Sequence, residues 1–162
     1  MKSRNCARVR LIVGLGAAAW LASAVPGSAL AQDEGGLYIA GSGFSFEQAA
    51  NRGLAQNPKG QRFFVLALPP NAAALTKAAP KSAAAVRERV TAAGGVLLVC
   101  QRDIDNRSID AAKLAPGVVP VRGFPPAGSS GIPHGERYFA DENPDNLPRS
   151  NEALRRLRSA CS

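Results

Sequence analysis

The sequence predicts an α/β domain, an open parallel sheet with helices on both faces. Two observations carry this expectation. Leu37–Ala40, Phe63–Leu68 and Val96–Cys100 are continuous apolar runs, not alternating ones. Strands of that kind are buried on both faces, as in parallel sheets. Segments with helical spacing and helix punctuation lie between the runs, and strand–helix alternation in that order is the pattern of parallel α/β folds.

Each element has a local reason. Leu37–Ala40 ends at Gly41-Ser42-Gly43, a tight loop. Ser45 offers an N-cap oxygen and Gln48 completes a capping box, which predicts a helix to about Gln56 with Phe46, Ala50, Gly53 and Leu54 inward. Asn57-Pro58-Lys59-Gly60 ends it. Pro69-Pro70 closes the second strand, and the Ala-rich stretch Asn71–Ala79 reads as a short helix. Ser82 is the expected cap of a helix through Ala93, with Val86, Val90 and Ala93 on its inner side. Gly94-Gly95 stops that helix before the third strand. Gln101–Ser108 reads as a loop or first helical turn, and Asp110–Ala115 as a short helix. Val118–Val121 is a fourth strand, which Pro120 assigns to an edge or end position. The Gly- and Pro-rich stretch 123–148 is irregular, and irregular segments of that length are functional or poorly ordered. Ser150 caps a last helix, 150–161, with Leu154, Leu157 and Cys161 on one face and Arg155, Arg156 and Arg158 toward water.

The N-terminus reads as an export signal. Lys2, Arg4, Arg8 and Arg10 precede the apolar run Leu11–Ala24, and Ala29-Leu30-Ala31 gives the small residues of a cleavage site before Gln32. The run is shorter than a membrane-spanning helix requires, and no later segment is apolar enough to span. Residues 32–162 are then a single domain, periplasmic or secreted. The leader holds four of the 20 Lys and Arg and none of the 12 Asp and Glu, so the formal net charge falls from +8 to +4 on cleavage. The remaining basic residues are scattered and not interleaved with aromatics, which argues against nucleic acid. Cys6 leaves with the leader. Cys100 and Cys161 remain, enough for one disulfide but not for a disulfide scaffold.

Open parallel sheets bind ligands beyond the C-terminal ends of their strands, and three candidates fall there. Ser42 sits in a lone G-x-G, which is a weak phosphate signal. Cys100 ends the third strand just before a helical turn, where helix amides lower a thiol pKa, and Arg102 and Arg107 add positive field. His134, the single histidine, lies in the Gly/Pro-rich segment near Glu136, Asp141 and Glu142. It has no Cys or His at ligand spacing, so no metal site is expected. No cofactor motif is present.

The run Ala93-Gly94-Gly95-Val96-Leu97-Leu98-Val99-Cys100, followed by Ile104, Arg107, Ile109, Leu114, Pro116-Gly117-Val118 and Val121, resembles the DsrE/DsrF-like (YchN-like) family over about residues 90–123. The resemblance implies a flavodoxin-like sheet, a trimer or hexamer, and a persulfide-carrying role for Cys100 with Arg107 as an electrostatic helper and a protein partner in sulfur transfer. Two departures stand against it: Ser108 follows Arg107 where relay members often have Gly, and relay members work in the cytoplasm. Two functions therefore compete. One is a sulfur-handling or thiol-redox protein using Cys100, with Cys161 as a resolving or disulfide partner. The other is a non-catalytic binding or assembly module in which Cys100 is structural. A buried Cys100–Cys161 bond favours the second, and an exposed, easily reduced one favours the first.

Overall fold

Four strands form one all-parallel sheet: β1 (Leu37–Ala40), β2 (Phe64–Ala67), β3 (Val96–Cys100) and β4 (Val118–Val121). The computed structural model describes residues 36–57, 61–125, 139 and 141–162. The expected leader (1–31), the start of the chain after it (32–35), Pro58-Lys59-Gly60 and His134 lie outside the described residues, as does much of the Gly/Pro-rich stretch. The sheet, with helices packed around it, is consistent with an open flavodoxin-like α/β fold.

The strand order is β1-β2-β3-β4, sequential and without reversal. Side chains alternate across each strand, so every strand contributes to both faces. Tyr38, Ala40, Val65, Ala67, Leu97 and Val99 form one face. Helices α1 (Phe46–Gln56) and α2 (Lys81–Ala92) cover it, burying Phe46, Ala49, Ala50 and Val90. Leu37, Phe64, Leu66, Val96, Leu98, Cys100 and Val121 form the other face, and they cluster with Ala153, Leu157 and Cys161 from helix α4 (Asn151–Ala160) and its C-cap. Full burial of each such Leu or Val is worth about 1.5–3 kcal/mol. A short helix, α3 (Gln101–Asp105), follows β3 without a break.

Local chemistry sets the ends of these elements. The capping box of α1 forms as expected: Ser45 Oγ accepts from the Gln48 amide and Gln48 Oε1 accepts from the Ser45 amide. Asn71 ties the β1–α1 loop to the next crossover, accepting from the Phe46 amide at 3.2 Å and donating to Gly41 O at 3.1 Å. Helix α2 differs from expectation, because it starts at Lys81 with Pro80 as its N-cap and no side-chain cap. Pro80 takes the extended ψ of 150° that a cap residue adopts, so the helix begins one residue before Ser82 and places it inside the first turn. The Ala-rich stretch is a 3-10 helix over Asn71–Leu75, and the stretch after Asp110 is another, Ala111–Lys113, capped by Asp110.

The edge strand β4 is closed to further pairing on its donor side. The Val118 amide bonds Ala115 O, Pro120 has no amide hydrogen, and the Arg122 amide bonds Glu142 Oε1 at 2.9 Å. These alternate residues are the ones turned away from β3, so the outer edge offers no free amide to another chain.

Crowding on the first face yields a test. A Cβ on Gly53 would lie 2.7 Å from two ring atoms of Phe63, which is itself fully buried. Gly53→Ala is expected to destabilise by about 1–3 kcal/mol, as overpacking does, despite alanine's better helix propensity. Urea unfolding at equilibrium measures it.

Candidate functional site

The helix over the second face is fastened at its end by a covalent bond. Cys100, the last residue of β3, is joined to Cys161 at the C-cap of α4, with Cα atoms 5.1 Å apart. The two residues are 0% and 2% exposed. The bond closes a loop with a sequence separation of 61.

A second fastening lies beside it and corrects an expectation. Arg158 does not face water; it is 4% exposed and pairs with Glu142 through both terminal guanidinium nitrogens, Nη1 and Nη2. Nη1 also donates to Arg122 O at 2.7 Å, and the guanidinium carbon lies 3.8 Å from the Phe139 ring centroid. Burial of this charge is supported by a bidentate partner, a carbonyl and an aromatic face. Asp141 meets Arg122 with both carboxylate oxygens, one contact being 2.6 Å. The described part of the Gly/Pro-rich stretch is thus pinned to β4 and α4 by two Arg–carboxylate forks.

These fastenings shape a cleft of about 490 Å³ at the C-terminal ends of β3 and β4. Helix α3 supplies Gln101, Arg102 and Asp105, and its C-cap supplies Asn106. Arg122 and Phe124 follow β4, and Cys161 and Ser162 end the wall. A Cβ on Gly123 would fall 2.3 Å from the carbonyl of Cys161, so only glycine permits this close approach. Ser162 Oγ accepts from the Phe124 amide at 2.8 Å and donates to Arg158 O at 2.8 Å. Arg102 donates through Nε to Asp103 Oδ1 at 3.1 Å and through Nη1 to Ser162 O. Asp103 is buried, and its Oδ2 has no partner among the described residues. That carboxylate holds Arg102 in place from behind. Among the described residues the strand order does not reverse and makes no switch-point crevice, and the cleft sits between α3, the tail of β4 and the end of α4.

The candidates read from sequence meet different fates. Cys100 and Cys161 come together. Arg107 is exposed, lies outside the cleft, and adopts φ 62°, a left-handed conformation that a non-glycine residue adopts at a cost. Ser42 is exposed in the turn after β1 and does not line the cleft. Sequence reasoning missed Arg122 and Phe124, although residues just beyond a parallel strand are where a ligand site belongs. Among the described residues no cluster of three His, Cys, Asp or Glu could hold a metal ion, and no helix is long and apolar enough to cross a membrane.

Two tests follow from the forks. Glu142→Gln leaves Arg158 buried without its counter-charge and is expected to cost about 3–5 kcal/mol. Pairing Arg158→Met with Glu142→Leu should recover most of that loss, and denaturant midpoints compare the three. The second test concerns pH. The Arg122 guanidinium bonded to Asp141 holds its carboxyl below the ordinary 3.8. A depressed folded-state pKa gives stability that is present above the unfolded value and lost as pH falls through the folded one. The stability gap between wild type and Asp141→Asn should therefore be constant near neutrality and shrink below about pH 4, as followed by unfolding at stepped pH.

No family model, no curated protein and no solved structure matches this chain.

Proposed function

We propose that the protein is an exported, non-catalytic binding module. In this reading Cys100 and Cys161 form a structural bond, and the cleft beside that bond receives a small ligand. The observation that carries it is the burial of both bonded cysteines, 0% and 2% exposed. A sulfur carrier needs an accessible thiolate, and this bond removes Cys100 from that chemistry. Arg107, the expected helper, stands exposed and away from the cleft. Export is supported by the leader-like N-terminus and by the bond, because structural disulfides belong to oxidising compartments. The cleft supports binding through its size and its mix of one aromatic with several polar groups.

A second reading keeps the thiol-redox chemistry. Its support is that Cys161 is among the residues lining the cleft, which sets one end of the bond next to that opening. A dithiol reductant would be oxidised to its own disulfide as Cys100 and Cys161 take up the two hydrogens, and the freed Cys100 thiolate would be the sulfur acceptor. The DsrE/DsrF-like resemblance supports this reading, and a trimeric or hexameric assembly belongs with it.

One experiment separates the two. The folded protein is treated with an alkylating reagent, with and without a mild thiol, and Cys100 and Cys161 are mapped by peptide mass. The structural reading expects both to stay linked and unmodified until denaturant is added. Removing the bond with Cys100→Ala and Cys161→Ala together should cost about 4 kcal/mol, given the length of the closed loop. Native-state labelling of Cys100, or a sulfur adduct that disappears in Cys100→Ser, would overturn it.

A further inference from the structure

The donors around the cleft are unevenly spent. Arginine carries five N–H groups. In Arg102, Nε serves Asp103 and Nη1 serves Ser162 O, while Nη2 has no partner among the described residues. Asn106 uses Oδ1 to accept from the Ser108 amide at 2.9 Å, and its Nδ2 has no partner among the described residues. Of the other charged groups of the lining, Arg122 is engaged, and Asp105 is engaged through one carboxylate oxygen and keeps Oδ2 without a partner among the described residues. Asp105 Oδ1 accepts from Gln101 Nε2 at 2.8 Å, and Arg122 is held by Asp141. The spare capacity at Arg102 and Asn106 is donor capacity, and the spare acceptor of Asp105 lies beside it on the same helix.

An apolar surface stands on the same cleft. Phe124 is 44% exposed and is the exposed large hydrophobic among the described residues. Its amide is fixed by Ser162 Oγ, so the backbone that presents the ring is anchored. A ring half in water next to unspent guanidinium donors fits a ligand with a flat apolar body and a negative end. The ring stacks or packs edge-on against an aromatic partner, and the guanidinium bonds a carboxylate with charge assistance.

We infer that the cleft takes a small aromatic carboxylate, its negative group on Arg102 and Asn106 and its ring against Phe124. The inference rests on the reading of this cleft as a ligand site and names the ligand class for it. Asp103 is then a positioning residue, which aims the guanidinium by holding Nε and leaves the Nη2 side to the ligand.

The test uses the full chain with Phe124→Trp, in a Trp20→Phe background so that the introduced indole is the single tryptophan. Benzoate and its uncharged counterpart benzamide are titrated separately up to about 10 mM, a range suited to fragment-sized ligands. The expected result is an emission change with benzoate, and an affinity about tenfold weaker for benzamide. Adding Arg102→Gln should abolish the preference between the two. If that variant does not fold, Arg102→Lys should reduce the preference several-fold, because lysine keeps the charge and loses the fork. Equal affinity for benzoate and benzamide overturns the aromatic-carboxylate class while leaving the cleft a ligand site. No emission change with either probe overturns the cleft reading itself.

Discussion

The second face of the sheet is the constraint on which this structure turns. Four parallel strands run in sequential order, and because parallel crossovers share one hand, successive connections fall on the same side of such a sheet. Helices α1 and α2 accordingly cover one face. The opposite face is just as apolar, with Leu37, Phe64, Leu66 and Leu98 all buried, and the helix that clusters with it is α4, of 10 residues. A helix that short is marginal by itself. It holds its place through Leu157 in the core, the Arg158–Glu142 fork, and the Cys100–Cys161 bond at its last turn.

Those same fastenings build the cleft. The bond sets Cys161 against Gly123 at a distance no side chain allows. Ser162 then reaches the Phe124 amide on one side and Arg102 on the other. Arg158 meets Arg122 O while holding Glu142, and Glu142 in turn accepts the Arg122 amide. Stability of α4 and shape of the cleft are therefore one arrangement. A reducible bond in this position would put both at risk together, which is a physical reason for burying it.

The strands were legible because their signal is local. A run such as Val96–Cys100 is apolar at every position, and a strand buried on both faces is what such a run can become. The Ser45–Gln48 box and the Ser150 cap were legible for the same reason, since a cap is read within four residues. Pro120 announced an edge strand because proline lacks the amide that an inner strand must donate. Arg158 was misread because its partner is a long-range one. Helical spacing and a last-turn position send it to solvent, and only Glu142, sixteen residues earlier in a stretch without periodicity, brings it inside. The cleft was half legible. Cys100 and the strand-end rule located it, but Arg122, Phe124 and Ser162 join only when α4 is laid across the sheet. The pairing of the two cysteines stayed open for the same reason: Cys161 was placed on an inward face, but reach between sulfurs is a property of the packed helix.

The central claim is that the Cys100–Cys161 bond is a structural fastening of α4. Native-state hydrogen exchange of the α4 amides, compared with those of β2 and β3, tests it most directly. A fastened helix exchanges only with global unfolding, so its amides and the central strands should report the same opening free energy while the bond is intact, and α4 alone should fall below them once both cysteines are replaced by alanine. Rapid, independent exchange of α4 with the bond intact would contradict the account, as would an α4 whose protection does not change when the bond is removed.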